Sequence, residues 1–379
     1  MSCKWSGHAY TGDLDDDGKF HGKGELLWKN GNKYVGDFVH GKLEGVGKMT
    51  FHIDSVVFPA NKGDVYHGEW KASRWHGRGK LVNSQGRVLK AGGWKACELV
   101  QTEQELEAIK LQGRLETDGF ALHPVTAEID ATLWQGLEEL LGDKYPLVRA
   151  WRVNNPVHRA FYESGLERVV TETKRYESSG DKQCARFRAP GFPTATQGVA
   201  QKIMSPVRPS ANESLLVHGT SQNVVLNILS SGLTERFAGM SAGTKYGKGI
   251  YFAEDIRKSD GYATVDKAYS DASDCHRYLY TTPDEHPGDV CYLFVCRVSL
   301  GAPMRTTDTG RTAHDLDSGQ PIFPLVFGEL AQVPDVMPPM HYHSLIAERG
   351  SPDTFREFIV FHNEYVSVEF LLAYKRGTR

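Results

Sequence analysis

The sequence predicts two folds in series: an all-β array of short hairpins over the first hundred residues, then a larger α+β domain. Three observations carry this. A Tyr-x-Gly motif, followed about nine residues later by Gly-x-Gly, occurs three times, from Tyr10, Tyr34 and Tyr66. Beyond Val100 the apolar residues switch to helical spacing. From Asn212 strand-like alternation returns, interleaved with one more short helical stretch.

The array is expected over residues 8–96, as three repeats plus a degenerate fourth, KAGGWKACELV from Lys90. Tyr10 to Tyr34 and Tyr66 to Lys90 are both 24 residues, whereas Tyr34 to Tyr66 is 32, so the second repeat carries an insertion around HIDSVVFPA. Aromatic and alternating residues make the strands, and glycines supply turns and close backbone approach. One hairpin is marginal alone, so neighbours must stack to bury a shared face.

A linker over 97–115 precedes the second domain, 116–379. Helical spacing appears in TEQELEAIKLQGR and ATLWQGLEELLGD, with DGFALHPVTAEID between them read as a loop. LVRAWRVN reads as a strand, and Pro156 opens a helix through HRAFYESGLERVV, a position where its missing N–H costs nothing. YESSGDKQCARFRAPGFPTATQG reads as a surface loop. ESLLVHGTSQNVVLNILSSGL predicts a strand, a turn at Gly219 and a helix ending at Gly232, with Leu216 and His218 on one strand face. CYLFVCRVSLG is a further strand. In REFIVFHNEYVSVEFLLAY, Glu357 shares a strand face with Ile359 and Phe361, and a carboxylate among apolar residues is costly unless it has a partner or a task.

Two resemblances follow from these segments. The Tyr-x-Gly and Gly-x-Gly repeats resemble MORN repeats, which implies an interaction module with protein or anionic-lipid partners. His218-Gly219-Thr220, Gly247-Lys248-Gly249-Ile250-Tyr251-Phe252-Ala253, Lys258-Ser259 with Tyr262, and Glu357-Phe358-Ile359-Val360 together resemble the catalytic domain of poly(ADP-ribose) polymerases, over about residues 115–379. That resemblance implies the ADP-ribosyltransferase fold, with its split antiparallel sheet, and NAD as substrate. It also implies transfer of ADP-ribose to a macromolecule, a protein or the enzyme itself, with release of nicotinamide. Carried over, Glu357, His218 and Tyr251 are the catalytic residues, with Glu357 accepting the 2′-hydroxyl of the nicotinamide ribose and His218 bonding the adenosine ribose. Gly219 and Ser259 meet the carboxamide, Tyr251 and Tyr262 sandwich the nicotinamide ring, and Lys258 pairs with Glu357. Leu233 to Tyr246 matches the loop that covers the donor. Glu364 and Glu369 are rival acids.

Composition sets the frame. Forty per cent hydrophobic and 24% charged residues describe an ordinary globular chain, and no run of eighteen apolar residues occurs. The N-terminus lacks an apolar signal segment and the six cysteines are scattered, so an intracellular location is expected. Residues 1–96 hold 15 basic and 10 acidic residues, a net +5, and the remainder 29 and 37, a net −8. The acidic body argues against strong phosphate binding, and no DNA-binding module is seen, which disfavours nucleic acid as the acceptor. A catalytically inactive scaffold acting through the repeats is the second alternative. No metal site is expected. Asp13-x-Asp15-x-Asp17-Gly18 begins like a calcium loop, but its twelfth position is Gly24, so it reads as a polar turn. Cys275, His276, His286 and Cys291 lack the spacing of a zinc site and read as loop residues.

Overall fold

The computed structural model describes residues 2–5, 8–178, 207–234, 245–348 and 355–377. It divides into two compact units, Met1–Gly113 and Arg114–Arg379. Among the described residues no helix is long and apolar enough to cross a membrane.

The first unit is a nine-stranded meander in which every strand pairs antiparallel with its sequence neighbour: β1 (Ser2–Trp5), β2 (His8–Leu14), β3 (Phe20–Leu27), β4 (Lys33–Val39), β5 (Lys42–Thr50), β6 (Val65–Lys71), β7 (Arg74–Val82), β8 (Val88–Lys95) and β9 (Glu98–Thr102). The motif's meaning is in the register. Gly12, Gly24, Gly36, Gly47, Gly68, Gly79 and Gly92 face one another in an unbroken row across β2 to β8. Tyr10, Tyr34 and Tyr66 lie two residues before a glycine, on the same face, and their rings lie across that row. A Cβ on Gly47 would sit 2.2 Å from the Tyr34 hydroxyl, and one on Gly79 would sit 2.1 Å from that of Tyr66. Each hydroxyl donates to a carbonyl three residues on, at Asp13 (2.9 Å), Asp37 (3.1 Å) and Glu69 (3.2 Å), beside a bulge in its own strand. Trp70, Trp75 and Trp94 complete the buried aromatic layer, with Tyr66 stacked on Trp75 at 4.2 Å. The insertion after β5 returns Phe58 to that layer, stacked on Trp75 at 5.5 Å.

Residues 97–115, expected as connecting chain, are ordered elements. β9 pairs β8, and α1 (Glu103–Asp118) starts at a capping box in which Thr102 and Glu105 satisfy each other's backbone N–H at 2.7 and 3.2 Å.

The second unit adds β10 (Ala121–Val125), α2 (Ala131–Leu141), β11 (Leu147–Asn154), α3 (Pro156–Ser178), β12 (Glu213–Thr220), α4 (Gln222–Ser231), β13 (Ile250–Ala253), α5 (Ile256–Asp260), α6 (Asp274–Leu279), β14 (Cys291–Ser299), β15 (Pro303–Thr306), β16 (Ser344–Ala347), β17 (Glu357–Val360) and β18 (Val366–Tyr374). The sheet order is β10-β11-β18-β14-β12-β13-β17-β16-β15, antiparallel except for β15 with β16. Leu216 faces the core layer under α3, α4 and α6, while Leu215 and Val217 face the layer under α2 and α5. A third cluster fills the space under β15, β16 and Ile359.

Three local expectations are corrected. Residues 121–125 form a strand rather than a loop; β10 is an edge strand, the place in a sheet that tolerates Pro124. The helix from Pro156 runs on to Ser178, because Thr173 and Tyr176 continue its buried stripe; the rest of that expected loop lies outside the described residues. Gly219 is inside β12, paired with Leu293, and the chain turns only after Thr220.

Candidate active site

Three strands and one short helix bring the family-matched residues together. β12 and β13 pair only at Val217 and Ala253, so the sheet opens between them. His218 bridges the opening, with its Nδ1 2.9 Å from the Tyr251 carbonyl oxygen. Because that carbonyl can only accept, Nδ1 carries the proton and Nε2 is left as an acceptor. Burial lowers the imidazole's pKa, outweighing the carbonyl bond that raises it, so the ring is neutral near pH 7.

Gly219 is the contact point for α5. A Cβ there would lie 1.9 Å from the Ser259 carbonyl oxygen, so only glycine admits this helix at this depth. Ser259 is buried, and its hydroxyl donates to the Val217 carbonyl at 3.1 Å. With its proton committed, the oxygen can accept from an amide N–H₂, as a carboxamide requires.

Tyr251 is half-buried. Its hydroxyl donates to the Gly247 carbonyl (2.8 Å) and accepts from the Tyr246 N–H (3.1 Å), and burial raises its pKa to about 12. Tyr262, in the turn after α5, is 46% exposed, an open ring face beside the site.

Glu357 is buried, with its Oε1 2.9 Å from Lys258 Nζ. Burial pulls the lysine's pKa down, but the bond to Glu357 and its charge outweigh this and hold it above the usual value. The cross-strand neighbours of Glu357 are Ala253 and Ala347, which leave room around the carboxylate. Next to it, Arg356 is bidentate to Glu254 at 2.6 and 2.7 Å, fixing the register of β17 on β13. The rival acids are engaged elsewhere: Glu364 with Arg168, and Glu369 with Arg159. Of the expected donor loop, residues 235–244 lie outside the described residues.

Sequence reasoning missed what holds α5. Asp260 Oδ1 accepts from the Tyr374 hydroxyl at 2.7 Å and from Arg376 Nε at 2.9 Å. Arg376 Nη2 donates to the Asp260 and Ala263 carbonyls at 2.9 and 3.0 Å, bracketing Tyr262. One guanidinium thus caps the helix that presents Lys258 and Ser259. No local pattern announces a pairing over 116 residues.

The zinc-like quartet does not assemble. Cys275 and Cys291 pack into different core layers. His276 and His286 instead put Nε2 on one oxygen of Asp266, at 2.8 and 3.1 Å, where the Tyr292 hydroxyl also donates at 3.0 Å. Both Nδ1 atoms accept backbone N–H groups, from Ser270 (2.8 Å) and Gly288 (3.1 Å), so both Nε2 atoms carry protons. A metal on either would demand an imidazolate. This is a hydrogen-bonded clamp. A cavity of about 550 Å³, lined by Arg152, His158, Arg159 and Glu369 among others, contains none of the family-matched residues, so its size does not mark the chemistry.

Comparisons with known proteins match both units of the chain. The family model "Poly(ADP-ribose) polymerase catalytic domain" matches residues 194–376, and the MORN repeat model matches 16–33, 34–55 and 66–86. "Protein mono-ADP-ribosyltransferase PARP10" of Mus musculus is 32% identical over 125 residues, covering 32% of this chain and 12% of that protein. "Alsin" of Rattus norvegicus is 36% identical over 72 residues, covering 19% of this chain and 4% of that protein. The chain therefore aligns with only a small part of each relative's length. Its α+β unit, with Glu357, His218 and Tyr251 gathered around an opening in the sheet, carries a poly(ADP-ribose) polymerase catalytic domain at residues 194–376, behind MORN repeats.

Proposed function

We propose that this protein transfers ADP-ribose from NAD to a macromolecular acceptor, a protein side chain or the enzyme itself, and releases nicotinamide. The observation that carries the reading is a buried carboxylate, Glu357, held by Lys258 across from a neutral His218 and beside Tyr251 and Tyr262. In this reading Ser259 and the Gly219 backbone bind the carboxamide, and the two tyrosines hold the ring. The Nε2 of His218 accepts a hydroxyl of the adenosine ribose. The bond from ribose C1′ to the nicotinamide nitrogen breaks, and its electron pair leaves with nicotinamide. Glu357 holds the 2′-hydroxyl and stabilises the positive charge that develops on the sugar. The acceptor's nucleophile bonds C1′ on the opposite face and gives its proton to the carboxylate. The repeats supply a docking surface for a protein or an anionic lipid, and the chain works inside the cell.

Incubation of the full chain with NAD labelled in the adenylate, followed by gel separation, tests this. Label on protein supports the reading, with a discrete band for single units and a smear for chains. Label confined to added nucleic acid would replace the acceptor class, and no turnover with intact NAD would leave the scaffold alternative.

A further inference from the structure

The polar turn of the first repeat carries a site of its own. Two groups of three metal-ligating side chains have their ligand atoms within 4.8 Å of one another among the described residues: Asp266 with His276 and His286, and Asp15 with His21 and His40. Both rings of the first group have Nδ1 capped by backbone N–H and Nε2 protonated, as described above. The second group has the opposite character.

Asp15 divides its carboxylate. Oδ1 accepts the turn's own N–H groups, from Asp17 at 3.1 Å and Lys19 at 2.8 Å, while Oδ2 points away to His40 Nδ1 at 2.6 Å. The backbone thus orients one oxygen and leaves the other as a single-atom ligand, an outer-shell arrangement common around bound metals. His21, on β3, has its Nδ1 buried with no hydrogen-bond partner, a rare state for a polar atom and one that points to something reaching it. His40 sits in the β4–β5 hairpin turn with φ 45°, followed by Gly41 at φ 82°. That left-handed pair swings the imidazole back toward the neighbouring hairpin, 5.5 Å from the His21 ring. Gly41 N–H, bonded to the Phe20 carbonyl at 2.8 Å, ties the same turn to β3. No backbone donor caps either imidazole, so each keeps a nitrogen that can bind a metal as a neutral ligand. Asp13 near the end of β2 and Asp16 in the turn add negative charge nearby, while Asp17 is paired with Lys19 at 3.3 Å.

We propose that Asp15, His21 and His40 bind a divalent transition metal of the zinc class. Two imidazoles and one carboxylate suit zinc and its neighbours and do not suit calcium or magnesium, which take oxygen ligands. Zinc–ligand distances near 2.0–2.1 Å place tetrahedral ligand atoms about 3.3 Å apart, so modest rotation of the largely exposed His40 closes the set. The metal takes the place of the proton between His40 Nδ1 and Asp15 Oδ2, and the neutral ring then carries its one proton on Nε2, exchanged through solvent. Three protein ligands leave a fourth position for water or for a group on a docked partner. The ion staples the β2–β3 turn to the β4–β5 turn, replacing the single hydrogen bond between Asp15 and His40 and adding His21 to the same link.

The test uses the full chain titrated with zinc chloride, with metal content after dialysis and amide hydrogen exchange as readouts. Asp15→Asn, His21→Gln and His40→Asn keep the turn geometry; asparagine tolerates the left-handed backbone at residue 40. One zinc per chain is expected, with exchange slowed at residues 15–19 and 40–41, and binding about tenfold or more weaker in each variant. Absence of retained zinc, equal retention by wild type and all three variants, or protection appearing at residues 266–290 instead would each overturn the proposal.

Discussion

Replacing Gly219 by alanine puts a Cβ 1.9 Å from the Ser259 carbonyl oxygen. Carbon–oxygen contacts of this kind settle near 3.3 Å, so α5 must retreat by about 1.4 Å. It cannot retreat for free. The Ser259 hydroxyl bond to Val217, now 3.1 Å, would pass the limit of a hydrogen bond, and the 2.9 Å Lys258–Glu357 pair would stretch. Arg376 resists the movement through Asp260. Overpacking of this kind costs about 1–3 kcal/mol of stability, a loss of several degrees in melting temperature. Displacing binding groups by about 1 Å costs on the order of 100-fold in rate, or about 2.7 kcal/mol of barrier. Steady-state NAD consumption should therefore fall about 100-fold in kcat/KM, while thermal melting still reports a folded protein. A variant with kcat/KM within about threefold of wild type and an unchanged melting temperature would refute the claim that glycine is there to admit α5.

Glu357→Gln should bind NAD nearly as tightly by calorimetry while labelled transfer drops by about two to three orders of magnitude, the scale of losing one preorganised charge-stabilising group. Near wild-type transfer would remove the carboxylate from the mechanism. The lowered pKa of His218 predicts that NAD affinity holds as pH falls to the ordinary histidine value of 6.5 and weakens only below it, measured as the KM for NAD against pH. The stability this histidine contributes is likewise full above 6.5 and is lost as pH falls through the lowered folded value. Gly47→Ala drives a Cβ to 2.2 Å from the Tyr34 hydroxyl and should destabilise the array by about 1–3 kcal/mol, with NAD turnover unchanged in the same preparation. Turnover that falls with it would tie the array to the active site.

What could be read in advance follows from how local each cause is. Tyr-x-Gly recurs because each tyrosine ring needs a bare backbone two residues on, so the cause is written into every copy. His218, Tyr251 and Glu357 were legible as ordered family segments, and β12, β14 and α4 as patterns of their own. β10 was hidden by Pro124, whose meaning depends on lying at a sheet edge. The Asp260–Tyr374–Arg376 cap and the His276–His286–Asp266 clamp join distant stretches through hydrogen bonds that no spacing rule encodes. His21 and His40 carry no local signal, because a calcium-loop template looks for oxygen ligands on one turn, whereas these imidazoles come from the next strand and the next hairpin.

The row of glycines behaves like the lattice line of a one-dimensional crystal. Each copy meets the same two neighbours across β2 to β8, and the longer excursion between β5 and β6 leaves Gly47 facing Gly68 as squarely as Gly36 faces Gly47. Duplicating or excising one unit during evolution would leave every surviving tyrosine its berth and change only the reach of the surface. Length is then a freely adjustable property of such an array, and selection for a longer or shorter footprint can act by counting copies rather than by redesigning a core.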